Sequence, residues 1–189
     1  DAYNIAIGHQ AGRDVTTGDR NILMGSFAGD ALTTGARNVA IGYTALSTED
    51  EHGRNVAIGY RSLFAQDAGA HAHNTAVGYS AGSDITSGIV NTIVGGLAAD
   101  ALTTGSENVA LGYKALSTAT STSNNIAIGS GSLENLNYDG SSNNTAVGHN
   151  SGNDLTTGVG NTIVGSLAGD ALTTGINNVA IGYEALSTE

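Results

Sequence analysis

The chain has no cysteine, no proline and no tryptophan, and only one methionine and two phenylalanines in 189 residues. Without cysteine no disulfide can brace the fold, and no thiol is available as a nucleophile. With so little aromatic bulk, any core must be thin and built from Ala, Val, Ile and Leu, which dominate the 40% hydrophobic content. Charged residues are scarce at 12%, which leaves few acids and bases for chemistry. The net charge of −11 disfavours a nucleic-acid backbone as partner. Five of the six cations (Arg13, Arg20, Arg37, Arg54 and Arg61) lie in the first third and only Lys114 follows, a distribution that reads as solvated coil edges. No apolar run approaches the roughly 18 residues of a membrane helix. The first residues, DAYNIAIG, begin in mid-pattern, as a stretch of a longer protein would.

Glycine, by contrast, is abundant at 28 residues, and the sequence repeats itself. NVAIGY stands at 38–43, at 55–60 and at 178–183. Aligned on an Asn followed by a short apolar run and Gly, the chain divides into eleven units. They open at Asn4, Asn21, Asn38, Asn55, Asn74, Asn91, Asn108, Asn125, Asn144, Asn161 and Asn178. Units are 17 residues long, and every fourth is 19, so a second period of 70 residues runs through 4–73, 74–143 and a truncated 144–189. Four unit types recur in fixed order: one with GRDVTTG-like segments, one ending DALTTG, one carrying YTALST, YKALST or YEALST, and a longer irregular one whose extra residues are expected to bulge out.

Three-residue β-branched runs closed by Gly at a fixed place argue against helix and for a coil per unit. The expected fold is all-β: a parallel β-roll, or β-solenoid, of about eleven coils of 17 or 19 residues. It forms a single repeat domain over 1–189, roughly 50 Å long at about 4.8 Å per coil. The invariant Gly8, Gly25, Gly42, Gly59, Gly78, Gly95, Gly112, Gly129, Gly148, Gly165 and Gly182 point to positive φ or to a place with no room for Cβ. Gly18, Gly35, Gly88, Gly105, Gly158 and Gly175 mark a second turn. Stacked Asn side chains one coil apart can bond to each other and to turn backbone, forming a ladder. These Asn and Gly residues are the structural positions of the chain.

Within NVAIG, Val39 and Ile41 share one strand face and Ala40 takes the other. The Val/Ile face is expected inside, met by one aliphatic per coil from the far wall: Val15, Leu32, Leu46, Leu63, Ile85, Leu102, Leu116, Leu133, Leu155, Leu172 and Leu186. The Ala/Ile face then stays apolar and uncovered, and is expected to be an oligomer interface. Where that position is large, at Leu23, Ile93 and Ile163, the residue after the Gly is small: Ser26, Gly96 and Ser166. Elsewhere it is mostly Tyr or His, as at His9, Tyr43, Tyr60, Tyr79, Tyr113, His149 and Tyr183, which suggests volume compensation in one packed space.

NVAIGYTAL, NVAIGYRSL, NIAIGSGSL, NTAVGYSAG and NVALGYKAL resemble the head repeats of YadA-type trimeric autotransporter adhesins and the related arrays of phage tail-fibre and bacterial surface-fibre proteins. The resemblance covers all eleven units. It implies a left-handed roll assembled as a parallel homotrimer, with adhesion or receptor contact as its role and a surface glycan or matrix protein as receptor. It places the chain outside the cell, on a bacterial surface or a virion. The 17/19-residue units and the 70-residue period depart from that family, and no stalk, anchor or chaperone segment is seen. A self-polymerising filament subunit of an extracellular appendage is the alternative.

No G-x-S-x-G, P-loop or H-E-x-x-H motif is present, so no enzyme activity, catalytic residue or cofactor is assigned. His71 and His73 share a strand face with His52 one coil below, a weak pattern for zinc or nickel. Calcium is the better ion candidate, at the recurring Asp14, Asp84 and Asp154 or Asp30, Asp100 and Asp170, although turn chemistry explains them equally. The tyrosines can stack sugars, or pack across coils and between chains. The Thr-Thr pairs point to opposite faces and do not read as an ice-binding array.

Overall fold

The computed structural model describes residues 2–188. Eleven three-residue strands stack in sequence order into one parallel sheet. In chain order the strands are β1 (Ile5–Ile7), β2 (Ile22–Met24), β3 (Val39–Ile41), β4 (Val56–Ile58), β5 (Thr75–Val77), β6 (Thr92–Val94), β7 (Val109–Leu111), β8 (Thr122–Ser123), β9 (Ile126–Ile128), β10 (Gly140–Ser141), β11 (Thr145–Val147), β12 (Thr162–Val164) and β13 (Val179–Ile181). β8 and β10 pair with each other in a second, two-stranded parallel sheet. No helix occurs among the described residues, and equivalent residues pair without slippage, Val39 beside Val56 and Val56 beside Thr75. The fold is therefore a parallel β-solenoid whose turns recur about every 17 residues.

Two polar and steric devices set the coil spacing. The first is the Asn column. The N–H of Asn21 donates to Asn4 Oδ1 at 2.8 Å, that of Asn38 to Asn21 at 2.9 Å, and the links continue through Asn108 to Asn91 at 3.0 Å and Asn178 to Asn161 at 2.9 Å. The side-chain amide then reaches the other corner of the coil: Asn21 Nδ2 donates to Gly35 O and Asn144 Nδ2 to Gly158 O, both at 2.8 Å. Most of these Asn are fully buried, and their amides satisfy backbone groups that water cannot reach, with the exception of Asn55 Nδ2, which has no partner. The extra residues of the longer coils leave the column unbroken, with Asn74 donating to Asn55 at 3.1 Å. In the first longer coil those residues lie outward, and a Cβ added at Gly69 would meet nothing within 4 Å, whereas in the second Tyr138 packs against the core and Gly140–Ser141 pair with β8.

The second device is the glycine that closes each strand. All eleven have φ between +127° and +145°, which L side chains rarely adopt. A Cβ on Gly112 would also sit 2.5 Å from the carbonyl group of Gly129 in the next coil. The second glycine column has another cause. Gly18, Gly35 and Gly88 lack positive φ, but a Cβ there would collide with the carbonyl oxygen of the following coil. Close approach, not turn conformation, requires glycine at those corners.

The structure reverses the expected inside and outside of the strands. The middle residue points inward: Ala40, Ala57, Ala76, Ala110, Ala127 and Ala146, with Leu23, Ile93 and Ile163, are fully buried. The flanking Val, Ile, Thr, Leu and Met residues are half-buried or exposed. The anticipated interface on the Ala/Ile face is therefore excluded, because that face is the core. The reason is volume. Each coil between the two end coils also buries a small residue three positions after its Gly, such as Ala45, Ser62 or Ala98, and most of them bury a far-wall aliphatic. The remaining space takes the strand's single middle side chain and has no room for a Val and an Ile.

Most far-wall aliphatics lie where expected, Leu32, Leu46, Leu63, Ile85, Leu102, Leu116, Leu133 and Leu155 being fully buried. Leu136 joins them, Val15 is partly buried, and Leu186 in the last coil is exposed. They enter from two alternative positions. Four residues after the Gly, every coil is left-handed: Gly29 at φ 54°, Leu46 at 51°, Leu116 at 58°. Where that residue is Leu, it fills the core itself. Where it is Gly, the aliphatic comes three residues later, and a Cβ on Gly29 would lie 2.7 Å from Leu23 and 2.8 Å from Leu32. A left-handed Leu costs about 1–2 kcal/mol, and burying it returns about 1.5–3 kcal/mol. Burial therefore sustains the strained conformation. The left-handed position and the position three residues later are alternative sources of the core aliphatic, while the middle strand residue varies from Ala76 to Leu23 beside the same left-handed Gly.

Gly112→Ala is expected to cost roughly 2–4 kcal/mol, from disfavoured φ plus collision with the next coil. Gly69→Ala, at positive φ in open space, should cost only about 1 kcal/mol. Urea unfolding followed by circular dichroism compares the two. Asn108→Ala should cost roughly 2–4 kcal/mol, since it strands the N–H of Asn125 and the carbonyl of Thr122. Asn124→Ala, on the exposed side of the same corner, should cost only about 1 kcal/mol, from its left-handed φ of 62° and two exposed side-chain hydrogen bonds.

Candidate functional site

Reversal of the strand faces creates an apolar outer wall. Side chains of residues 39 and 41 and their counterparts stand outward on every coil, among them Ile22, Met24, Val94, Ile126 and Val164. At about 3.3 Å per residue and 4.8 Å per coil, the stripe is about 10 Å wide and 50 Å long. Two exposed columns border it. On one side lie the left-handed residues preceding each Asn: Arg20, Arg37, Arg54 and His73, then Val90, Glu107 and Asn124. On the other side lie the residues following each closing Gly.

That second border is an aromatic ladder in the first five coils. His9 meets Phe27 edge-on at 5.2 Å between ring centroids, and Phe27 meets Tyr43 edge-on at 6.0 Å. Tyr43 stacks on Tyr60 at 5.6 Å and Tyr60 on Tyr79 at 5.1 Å, within 9° of parallel. Phe27 enters from one residue further on, which accounts for the small Ser26 before it. Tyr60 is stacked on both faces, so this middle rung presents its edge and hydroxyl outward rather than a face on which a sugar could lie, while Tyr79 is stacked on one face only. Tyr113, Tyr183 and His149 stand outside this stack.

The acidic corner formed by the first two unit types holds the recurring aspartates on adjacent coils. Arg13 pairs with Asp14 at 2.8 Å and reaches Asp30 at 3.6 Å. No arginine occupies the equivalent place in the second block, where Ser83 donates to Asp84 at 3.2 Å. Burial lifts the Asp100 carboxyl above its ordinary range, nearby N–H groups hold it back, and the neighbouring Asp84 pushes it further up. Burial raises Asp30 as well, and Arg13 opposes it. Among the described residues these aspartates do not converge into a group of three ligands. The Thr-Thr pairs spend hydroxyls on coil-to-coil bonds, Thr33 to Asp50 O at 3.0 Å and Thr103 to Thr120 O at 2.8 Å.

His52, His71 and His73 are brought together as their spacing suggests, with ring centroids 6.3 and 6.4 Å apart in succession. The groups that converge most closely are Glu49, Asp50 and His52. Glu49 and Asp50 escaped the sequence reading because the far-wall aliphatic of that coil was already supplied by Leu46. The signal was present in the alignment: eleven residues after the opening Asn, other coils hold Val15, Leu32, Ile85, Leu102 or Leu155, and this one holds Glu49. Burial raises the Glu49 carboxyl above its usual range, and the His52 N–H and imidazole counter it. No pocket opens among the described residues. No family model, no curated protein and no solved structure matches the chain.

An aspartate whose pKa is raised by folding favours the folded state below its unfolded pKa, and that contribution is lost as pH rises through the folded value. Asp100→Asn should therefore raise the thermal midpoint at pH 7. The gain should vanish below the ordinary aspartate value of 3.8, which calorimetry from pH 3 to 7 would reveal.

Proposed function

We propose that the chain is a structural and adhesive segment of an extracellular trimeric fibre, a cell-surface adhesin head or a phage tail-fibre shaft, that attaches to a surface receptor. The observation that carries this reading is the outward wall of the eleven-stranded sheet, apolar except for Thr75, Thr92, Thr145 and Thr162. A stripe of roughly 500 Å² on one side of a rod is the size of patch that marks an interaction surface. It has the length of the whole rod, so a partner that covers it must be equally long and equally periodic. A parallel copy of the same chain meets that demand, and three copies around an axis bury every stripe at once. The resemblance of the Asn-x-Ala-x-Gly units to YadA-type head repeats supports the same assembly. In that arrangement the arginine and aromatic columns flank the buried stripe and form the rims exposed to a receptor, a surface glycan or a matrix protein. The chain's role is then to space and present, with no turnover.

Multi-angle light scattering at micromolar concentration should give three times the chain mass of 18.8 kDa. Val94→Asp with Ile126→Asp, two outward positions that leave the core untouched, should reduce the mass to a single chain with unchanged circular dichroism. A monomeric parent chain would overturn the trimer, and an open-ended mass distribution would favour a filament. On glycan and matrix-protein arrays the trimer should be retained, and Tyr60→Ala with Arg54→Ala should weaken retention by about tenfold.

A further inference from the structure

Glu49 breaks the rule that the rest of the chain keeps. It occupies the core column in which other coils carry aliphatics, and its side chain is completely buried. The fold does not require a carboxylate there. In the matching coil of the next block the residue is Ala119, also completely buried, and in the adjacent coil it is Gln66. The same holds around it. His52 stands where the next block has Thr122, and His71 and His73 where it has Ser141 and Asn143. The first block thus gathers ligand-type side chains in one corner that its structural twin does without.

The corner is also incompletely satisfied. Glu49 Oε1 accepts the N–H of His52 at 3.0 Å and lies 3.6 Å from His52 Nδ1. Glu49 Oε2 and His52 Nδ1 are both buried and have no hydrogen-bond partner. A carboxylate removed from water without a compensating charge is strongly disfavoured. The Asp50 carboxylate, at the surface of the same turn, adds negative charge instead of relieving it. One ligand atom from each of Glu49, Asp50 and His52 lies within 4.8 Å of the others, which leaves a space bounded by two carboxylates and an imidazole nitrogen.

We propose that Glu49, Asp50 and His52 form a binding site for a divalent transition-metal ion of the zinc class. An imidazole with two carboxylates is a borderline donor set suited to such an ion, whereas calcium demands six to eight oxygens and has no use for imidazole. Metal binding would neutralise the buried Glu49 and occupy the two unpartnered atoms at once. His71, whose ring centroid lies 6.3 Å from that of His52, stands outside the group whose ligand atoms fall within 4.8 Å of one another, and it would have to turn toward them to supply a fourth ligand from the next coil. The ion would then clamp adjacent coils at the place where the longer unit departs from the regular path.

The test uses the whole chain after chelator treatment, titrated with zinc chloride by calorimetry, with bound metal counted by atomic emission after dialysis. The expected result is about one zinc per chain and a thermal midpoint that rises with zinc. Glu49→Ala and His52→Thr, the residues of the twin coil, should each abolish binding and leave the midpoint in chelator no lower than the parent's. Glu49→Gln, which copies the neighbouring Gln66, is a second variant that keeps the side-chain volume. Combined His71→Ser and His73→Asn should weaken binding by about tenfold if His71 is a ligand, or leave it unchanged if water completes the site. Absence of bound zinc in the parent would overturn the site. So would binding that survives in Glu49→Ala and Glu49→Gln, or binding lost only with His71 and His73, which would assign the ion to the exposed loop.

Discussion

At the corner that closes each strand, the backbone of one coil rests on the backbone of the next, Gly42 over Gly59 and Gly95 over Gly112, with no side chain between them. Nothing larger than hydrogen fits there, and the φ of these residues is closed to other amino acids. At the opposite end of the strand, the buried Asn column fixes the same spacing through hydrogen bonds from N–H to Oδ1. Between these two supports the strand has no freedom of register. Each of the eleven strands pairs residue for residue with its neighbour, although none is longer than three residues. Length, which ordinarily stabilises a strand, is replaced by repetition.

The interior answers to that spacing. With coils held about 4.8 Å apart, each contributes one thin slice of side chains, and the slice must be filled without overlap. The third coil does so with Ala40, Ala45 and Leu46, and the second with Leu23, Ala28 and Leu32 around Gly29. The apparent irregularity of the repeat is thus a choice between two positions from which the far-wall aliphatic enters the core. A consequence is that Val39 and Ile41, β-branched and suited to a strand, are held outside, and the molecule carries an apolar wall on its outer surface.

Much of this was legible in the letters. The coil, its period and the positions of Asn38, Gly42 and Leu46 follow from repetition, because a constraint that acts once per coil writes the same residue once per coil. The side of the strand that faces inward was not legible. A three-residue run such as Val39–Ala40–Ile41 is apolar on both faces, so alternation carries no information, and the decision rests on the volume left by Ala45 and Leu46 across the core. The converging Glu49, Asp50 and His52 were hidden for a related reason. Unlike the glycines, they occur in one block only, and repetition directs attention away from what does not repeat. The Arg54 and Tyr60 columns could be placed on the rims only once the strand faces were known.

The ordered cycle of four coil types acts as a vernier along the rod. Neighbouring coils differ in whether Gly or Leu holds the left-handed corner and in whether Ser, Tyr or His follows the closing Gly. Two such rods laid side by side in the same direction would bring like coils together when level, or when offset by whole cycles, each of which is about 19 Å at four coils of 4.8 Å. Intermediate offsets would set unlike coils, and so unlike side chains, against one another. A motif that looks uniform enough to slide is therefore graduated once every four coils.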